Sequence, residues 1–372
     1  MHVPFYRHDL RPDDAARVAA VLASPILTSG DVGRRVEAQL AAYFGVPHAA
    51  LVSSWTNGAV AGLLALGVGP GDDVIVPAMT FLATANVVEH VGARPVFVDV
   101  DAATLLMTPE AVARALSPRT RAVIPVHLYG QMCDMKGLEA VLAGRPDVAI
   151  IEDAAHAFEA RRDGERPGAR STMAIFSFYA TKNVTCGEGG AIVTRDAALH
   201  AKLLETRLHG MSAGAADRHR GGQYRHWDMP RLGVKANLPD LLAALLPPQI
   251  DAIDGRLARR EALARRYEEA LRGTSWTLVQ GAAGALHARH LFPIGVAGGR
   301  RDEVLARLGA AGVGVTVNYR SVPMLGWYRQ RYGFTAADHP VAHAWGERTL
   351  TLPLYPSLTD AEQQYVIDAL PR

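Results

Sequence analysis

The sequence is poor in cysteine. Its two cysteines, Cys133 and Cys186, lie far apart in a chain of 372 residues. A secreted disulfide scaffold would contain more, and two residues so widely separated form no metal-ligand spacing. We therefore expect two reduced thiols, no bound metal and a cytoplasmic location.

Long apolar runs and an excess of one charge are also missing. No uninterrupted stretch of about 18 apolar residues occurs, so we expect no membrane span. The first residues contain no apolar signal core. Lys and Arg number 39 against 37 Asp and Glu, and the net charge of +2 gives no reason to expect a nucleic-acid partner. A local cluster of charge could still bind an anionic small molecule.

Short β-branched apolar runs alternate with amphipathic stretches between residues 50 and 200. We predict helices over 80–92 and 108–116, the second with Thr108 as N-cap and Pro109 at its first position. Near-continuous apolar strands separated by helices indicate an α/β fold, with a mostly parallel sheet between helices. The predicted strands are 73–78, 95–100, 121–128, 148–153, 174–179 and 190–195.

The pattern changes in the last third of the chain. Residues 238–272 have helical spacing, with a break expected at Pro247 and Pro248. The segments that follow predict a smaller α+β unit, which gives a large domain over 1–246 and, over 247–372, a linking helix and a small domain. The segments of this unit are a strand over 290–296, a helix over 302–312, a strand over 313–319 and a closing helix over 359–370.

Three segments carry residues suited to one cofactor chemistry. Pyridoxal phosphate needs a lysine for a Schiff base and a carboxylate that keeps its pyridine nitrogen protonated. Lys182 follows a predicted strand, and Asp153 follows another among small residues. Residues 52–58, with small hydroxyl residues such as Ser53, Ser54 and Thr56, lead into a predicted helix, whose first amides can bind a phosphate. Taken alone, each segment also fits a surface lysine, a capping carboxylate or an ordinary capped helix.

In combination, the segments resemble the sugar aminotransferases of the DegT/DnrJ/EryC1/StrS family, which are fold-type I pyridoxal-phosphate enzymes. The resemblance runs over nearly the whole chain. It implies transfer of an amino group from glutamate or glutamine to a keto sugar, with a pyridoxamine phosphate form between the two half-reactions. The segments that carry it include PAMTFLATANVVEHVGARPVFVDVD (77–101), IEDAAHA (151–157), SFYATKNVTCGEGG (177–190) and LGVKANLPDLLAAL (232–245).

The resemblance also implies roles for single residues. Lys182 would bind the cofactor and move the proton, and Asp153 would pair with the pyridine nitrogen. Phe81 would stack on the ring, and His156 would lie near its 3-hydroxyl. The phosphate would be held by residues of three segments, one of them from the neighbouring subunit, so the resemblance implies a homodimer with shared active sites. These residues are Thr56, Asn57, Ser177 and, from the neighbouring subunit, Asn237.

The substrate side resembles most the family members that aminate the 4-keto group of a nucleotide-linked sugar, such as the transaminase that makes UDP-4-amino-4-deoxy-L-arabinose. Phe81 stands where that enzyme has tryptophan. The basic and aromatic segment 223–228, which includes Trp227, suits a nucleotide diphosphate, and an ordinary surface loop fits equally well. Tyr319 lies in a segment that often lines the sugar side. Its neighbour Arg320 could bind a diphosphate, bind the donor's carboxylate or form a structural salt bridge.

Three other functions stay open. A non-catalytic regulator would bind pyridoxal phosphate but give no half-reaction with glutamate. An aminotransferase acting on a free keto sugar or a cyclitol ketone in antibiotic biosynthesis would give the half-reaction but reject nucleotide sugars. A dinucleotide-dependent enzyme fits poorly, because no glycine-rich fingerprint joins a first strand to a helix.

Overall fold

The computed structural model describes residues 1–212 and 226–371, and its strands follow the apolar runs of the sequence. The strands are β1 (His48–Val52), β2 (Asp73–Pro77), β3 (Arg94–Val98), β4 (Thr120–Val123), β5 (Ala149–Asp153), β6 (Arg161–Arg162), β7 (Met173–Ser177), β8 (Gly190–Thr194), β9 (Thr277–Leu278), β10 (Ala285–Leu286), β11 (Phe292–Gly295) and β12 (Thr349–Leu352). Seven of them form the main sheet, in the order β1-β8-β7-β5-β4-β2-β3. Only β8 runs against its neighbours in that sheet, so the prediction of a mostly parallel sheet is confirmed.

The helices occupy the amphipathic stretches between the strands. They are α1 (Pro12–Leu22), α2 (Asp31–Phe44), α3 (Trp55–Ala65), α4 (Ala83–His90), α5 (Pro109–Ala115), α6 (Met135–Leu142), α7 (Ala197–Thr206), α8 (Asp240–Ala243), α9 (Pro247–Asp251), α10 (Ile253–Leu271), α11 (Arg301–Ala310), α12 (Gly326–Tyr332), α13 (Pro340–Arg348) and α14 (Asp360–Ala369). The predicted N-cap of α5 is confirmed, since the Thr108 side chain accepts a hydrogen bond from the backbone N–H of Ala111.

Both faces of the main sheet are covered by apolar contacts with helices. Within β2, Ile75 packs into one buried cluster together with Leu40 of α2, whereas Val76 packs into the opposite cluster together with Leu63 of α3. A strand that is buried on both sides needs apolar residues at every position, which is why the sequence shows continuous apolar runs there. The predicted α/β fold class is confirmed.

A second, smaller sheet has the strand order β12-β11-β9 and is antiparallel. Its apolar residues pack with those of three helices: Ile294 of β11 lies in one cluster with Leu263 of α10, Leu308 of α11 and Val366 of α14. Over residues 1–212 and 226–371, no helix is long and apolar enough to cross a membrane.

Two elements differ from the sequence-based prediction. The strand expected over 313–319 is wrong, because only Val313 and Thr316 pair, through single bridges to Val3 and Thr351. The segment then carries Tyr319 away from the small sheet and towards the main one. The helical stretch over 238–272 does break at Pro247, as expected, but it breaks again at Ala252 and forms three helices.

Candidate active site

The candidate active site lies at the carboxyl ends of β5 and β7. Asp153 ends β5 and pairs in register with Ile175 of β7, so the loops after the two strands leave the sheet side by side. Lys182 lies in the loop after β7, where its backbone N–H donates to the carbonyl oxygen of Tyr179 at 2.9 Å. Ligand-binding residues of α/β folds gather at this edge of the sheet. The topology therefore brings together the two residues on which the cofactor prediction depends.

Asp153 is a buried carboxylate with two neutral donors. The hydroxyl of Thr84 donates to its Oδ2 at 2.9 Å, and the backbone N–H of Ala155 donates to its Oδ1 at 3.2 Å. Burial raises the pKa of Asp153, and the contacts with Ala155, Thr84 and Lys182 oppose that shift. Among the residues that the structure describes, no cationic side chain lies within ion-pair distance of it. A buried acid in this state is suited to a protonated heterocyclic nitrogen.

Lys182 is a half-buried amine with a lowered pKa. Burial lowers the pKa of Lys182 to about 8, although the charge of Asp153 acts in the opposite direction. Its Nζ lies 3.5 Å from Nε2 of His290. A lysine whose pKa is close to neutral pH is partly uncharged there and can act as a nucleophile or a base.

Aromatic rings form a cluster next to Lys182. The backbone N–H of Tyr129 donates to Nδ1 of His156 at 3.2 Å, and Nε2 of His156 lies 3.2 Å from the hydroxyl of Tyr319. Burial and the charge of Lys182 hold the pKa of His156 well below its ordinary value, so the ring is neutral and carries its hydrogen on Nε2. Phe81 is 52% exposed, and its ring centroid lies 5.7 Å from that of Tyr319. The cluster thus leaves an aromatic face open above the site.

The N-terminus of α3 lies at the edge of the same site. The Ser54 hydroxyl caps the helix by accepting from the backbone N–H of Asn57 at 3.1 Å, and the Asn57 amide donates to the Ser53 hydroxyl at 2.9 Å. Ser177 pairs in register with Gly190, and a Cβ on Gly190 would lie 3.0 Å from the backbone of the first turn of α3. The strand end at Ser177 therefore lies next to the start of α3, whose backbone amides can receive a phosphate.

Asn237 lies beside the same end of the sheet. Its backbone bridges to Val52, the last residue of β1. Its side-chain amide donates to the hydroxyls of Thr28 at 2.9 Å and Ser29 at 2.8 Å. Asn237 is thus near the segment of its own chain that is predicted to bind the phosphate, and its reach to a neighbouring subunit remains a prediction.

The residues expected to bind the substrate differ in how closely the structure connects them to the site. Arg320 is exposed and adjoins Tyr319 of the aromatic cluster, and no carboxylate within 1–212 or 226–371 forms an ion pair with it. Trp227 is half-buried, and its ring centroid lies 6.0 Å from that of His226. The rest of the predicted basic segment, residues 223–225, lies outside the described residues.

Sequence reasoning missed three polar residues that contact Asp153 or Lys182 or their hydrogen-bond partners. Thr84 lies in a segment whose pattern predicts only a helix, and its hydroxyl lies 2.9 Å from that of Thr80. His290 begins a segment whose pattern predicts a strand. Asn183 follows Lys182 directly, and this adjacency is the one sequence signal that points to it.

Comparisons with known proteins agree with this geometry. The family model of the DegT/DnrJ/EryC1/StrS aminotransferases matches residues 8–371. The PMP form of Spr1654 from Streptococcus pneumoniae, described as a candidate sugar aminotransferase, superposes with a TM-score of 0.93 at 30% identity and covers 99% of this chain and 98% of its own. DesV of S. venezuelae, solved with a ketimine intermediate, has a TM-score of 0.90 at 34% identity, with 99% and 97% covered.

The aminotransferase TlmJ from Streptoalloteichus hindustanus is similar too, with a TM-score of 0.90, 29% identity and coverage of 99% of this chain and 98% of its own. Spr1654 has also been solved in a PLP form, with a TM-score of 0.91. Matches of this extent cover the main sheet, the small sheet and the site together. The chain therefore belongs to the DegT/DnrJ/EryC1/StrS aminotransferase family, whose members are pyridoxal-phosphate-dependent transaminases with the fold-type I architecture.

Proposed function

We propose that this chain transfers an amino group from glutamate or glutamine to the 4-keto group of a nucleotide-linked sugar, with Lys182 as the lysine that binds the cofactor. One observation carries the transfer chemistry: Lys182 has its pKa lowered to about 8, and its charge interacts electrostatically with the buried carboxylate of Asp153. One group can exchange a proton near neutral pH, and the other can stabilise a buried positive charge.

The residues present fit pyridoxal phosphate. The cofactor, when bound, supplies an electron sink for the carbanion that forms at the amino-bearing carbon. The Asp153 carboxylate would hold a proton on the ring nitrogen, and the open face of Phe81 would pack on the ring. Thr56, Asn57 and Ser177 would bind the phosphate through backbone amides and hydroxyls. His156, neutral and hydrogen-bonded to Tyr319, would border the 3-hydroxyl side.

Lys182 would transfer the proton in both halves of the reaction. Its amine must be uncharged to accept the α-proton of the donor, and burial favours that form by lowering its pKa. In the second half, the same Nζ returns a proton to the carbon that receives the amino group. A single buried base can serve both directions because the two halves are chemically the reverse of each other.

Arg320 is the candidate partner for an anionic group of the substrate. Arg320 adjoins the aromatic cluster, its charged end is exposed, and no carboxylate in the described part of the chain neutralises it. A guanidinium can bind a phosphate through two parallel hydrogen bonds. Tyr319 would contact the sugar, and Trp227 could offer an apolar surface to the base. The donor's carboxylate is the other ligand that suits Arg320.

The proposal includes a homodimer in which Asn237 of one subunit reaches the phosphate of the other. Asn237 adjoins a group of exposed apolar side chains, and such a group commonly marks a protein interface. Leu232 is 79% exposed on the same segment as Asn237, and Leu27 is exposed beside Thr28, which bonds to the Asn237 amide. A second subunit would cover these side chains.

The substrate is tested by supplying ketones in matched pairs. The purified chain, loaded with pyridoxal phosphate and glutamate, should convert a UDP-linked 4-keto sugar to the amine, detected by mass spectrometry. The same sugar without its nucleotide is the control, and Arg320→Ala should raise KM for the nucleotide sugar more than for glutamate. Equal turnover of the free sugar would contradict the nucleotide linkage, and turnover of a cyclitol ketone alone would replace the proposed substrate.

A further inference from the structure

We infer that His290 is a positioning residue for Lys182: its Nε2 accepts a hydrogen bond from Nζ and fixes the direction in which the amine presents its remaining hydrogens and lone pair. The inference rests on the proposed role of Lys182 as the proton carrier. It is drawn from a chain of buried polar contacts that begins at Arg260 and ends at the lysine.

The first links fix the orientation of Asn183. Its amide nitrogen lies 3.2 Å and 2.9 Å from the two carboxylate oxygens of Glu159 and 3.0 Å from the carbonyl oxygen of Ala288. All three are acceptors, so they require the NH₂ end of the amide. Glu159 is itself held by Arg260, and both side chains are buried. The Asn183 carbonyl oxygen is therefore left to face the other way.

That carbonyl oxygen fixes the tautomer of His290. It lies 3.1 Å from Nδ1 of the ring, and an amide oxygen can only accept. Nδ1 must therefore carry the hydrogen, and Nε2 carries the lone pair. Nε2 lies 3.5 Å from Nζ of Lys182, at the long end of a hydrogen bond. The amine of Lys182 thus faces an acceptor whose orientation is fixed by Asn183 and, through Asn183, by Glu159.

His290 orients the lysine without taking its proton. Burial, together with the charge of Lys182, holds the pKa of His290 well below its ordinary value, so the ring stays neutral. The ring also packs against His156, with 4.4 Å between centroids, which prevents it from swinging aside. A long, flexible amine that leaves the cofactor in every cycle would otherwise sample many directions. The contact with His290 restricts the directions that the amine can sample.

Other charged groups near Lys182 must stay constant in any test of this contact. Asp153 and His156 approach from the end of β5. On the side of the N-terminal segment, a cavity of about 40 Å³ that Lys182 and His290 share is lined by further titratable residues. These are Tyr6, Arg7, His8, Asp9, Arg256, Arg260 and Tyr355. Because the variants below leave all of them in place, differences between variants report on His290.

The first measurement uses the full chain without cofactor. The sequence has lysines only at 136, 182, 202 and 235, so trace labelling with acetic anhydride across pH, read by mass spectrometry, gives the titration of Lys182 with Lys202 as internal reference. His290→Phe keeps a ring but removes the acceptor, which destabilises the ammonium, so the titration should move to lower pH. His290→Gln restores an acceptor and should return it towards wild type. His287→Phe, the same change three residues away, should leave it unchanged.

The second measurement uses the loaded enzyme. His290→Phe should lower kcat by about tenfold or more with KM for glutamate unchanged, because misdirection of the base affects the proton step. His290→Gln should recover most of that rate. An unshifted titration in His290→Phe, or a Gln variant no better than the Phe variant, overturns the inference. If His290→Phe does not fold, the titration of Lys182 is measured in Asn183→Leu instead. A titration of Lys182 in Asn183→Leu that equals that of the wild type also overturns the inference.

The two proposals fail separately. A wild-type chain that shows no half-reaction with any amino donor contradicts the proposed function, whatever the labelling of Lys182 shows. A wild-type chain that transaminates, together with a His290→Phe variant that keeps both the titration and kcat, contradicts only the role of His290.

Discussion

Burial shifts the pKa values of two residues at the site, Lys182 and Asp153. The Lys182 amine and the Asp153 carboxyl are displaced in pKa in opposite directions, and in both cases the displacement favours the uncharged form. Each keeps part of its charge through the other, since the two groups interact. A positively charged ring nitrogen next to Asp153 would restore the ionised carboxylate. The Asp153 carboxyl is thus suited to pair with a cationic heterocycle.

Replacement of Lys182 is the direct test at this scale. Lys182→Ala should lose turnover by a factor of about 10⁴ or more, because the general base and the covalent attachment point disappear together. The variant should still bind pyridoxal phosphate without a covalent bond, as measured by absorbance after gel filtration. Lys202→Ala, on the surface of α7, is the matched control and should keep full activity. Turnover that survives in Lys182→Ala would remove the residue from its assigned role.

A second residue pair holds the strand end that carries Asp153. The backbone N–H of His127 donates to the carbonyl oxygen of Asp153 at 3.0 Å, and Nε2 of its buried ring lies 2.6 Å from Oε2 of the buried Glu152. Nδ1 of the ring accepts from the backbone N–H of Cys133 at 3.2 Å, so the ring carries its hydrogen on Nε2 and donates it to Glu152. The other carboxylate oxygen of Glu152 accepts from the backbone N–H of Gly168 at 2.7 Å.

Glu152→Gln should therefore destabilise the fold. One end of the new amide is an NH₂ group, which would face a donor where the carboxylate accepts, so we expect a loss of about 1–3 kcal/mol in the free energy of unfolding. Urea unfolding measures this, with Glu139→Gln in an exposed pair as control. An unchanged free energy of unfolding in Glu152→Gln would show that these contacts do not hold the end of the strand.

Among the elements, the close contact of β8 with the start of α3 positions the segment that we propose binds the phosphate. Gly190 begins β8, and a Cβ there would lie 2.6 Å from the carbonyl oxygen of Phe176 and 3.0 Å from the backbone N of Trp55. Only hydrogen fits between the strand and the helix. The glycine thus lets the first turn of α3 approach the sheet next to Ser177.

Gly190→Ala should therefore move the start of α3. We expect a loss of about 1–3 kcal/mol in the free energy of unfolding, from overpacking, and weaker binding of pyridoxal phosphate. Gly309→Ala, in α11 with nothing within 4 Å of the added methyl group, should be neutral or slightly stabilising. Thermal unfolding and a cofactor titration measure both effects. Normal cofactor affinity in Gly190→Ala would mean that the phosphate binds elsewhere.

Element prediction succeeded where local patterns decide the structure. The apolar runs gave the parallel strands because burial on both faces leaves a continuous signature, and Thr108 with Pro109 marked the start of α5. The strand over 313–319 failed because its β-branched pattern does not reveal whether a partner strand is available. Val313 and Thr316 find partners at single points only. The division of the chain at residue 246 stays a prediction.

Site prediction had the same limit. Lys182, Asp153 and the start of α3 could be predicted as site residues because each lies in a recognisable segment. His290 and Thr84 were not found, since their roles come from distant residues that the fold brings close. Asn183 and His290 are 107 positions apart. No local pattern reports a contact over such a distance.

At the scale of the whole molecule, the homodimer can be tested by complementation. If Asn237 serves the partner's phosphate, a mixed dimer of Lys182→Ala and Asn237→Ala subunits has both defects in one site and an intact second site. Mixing the two inactive or weakened variants should therefore restore turnover. If Asn237 serves the site of its own chain, which its bridge to Val52 also allows, every site in the mixture stays defective. Turnover after subunit exchange distinguishes the two.

The central claim is that this chain is a transaminase working through a lysine-bound pyridoxal phosphate. Its most direct test is an absorbance spectrum of the purified chain, loaded with the cofactor, before and after addition of L-glutamate. We predict a visible band that gives way to a near-ultraviolet band, as the cofactor accepts the amino group. A visible band that glutamate and glutamine leave unchanged, or no band at all after pyridoxal phosphate is added, would contradict the account.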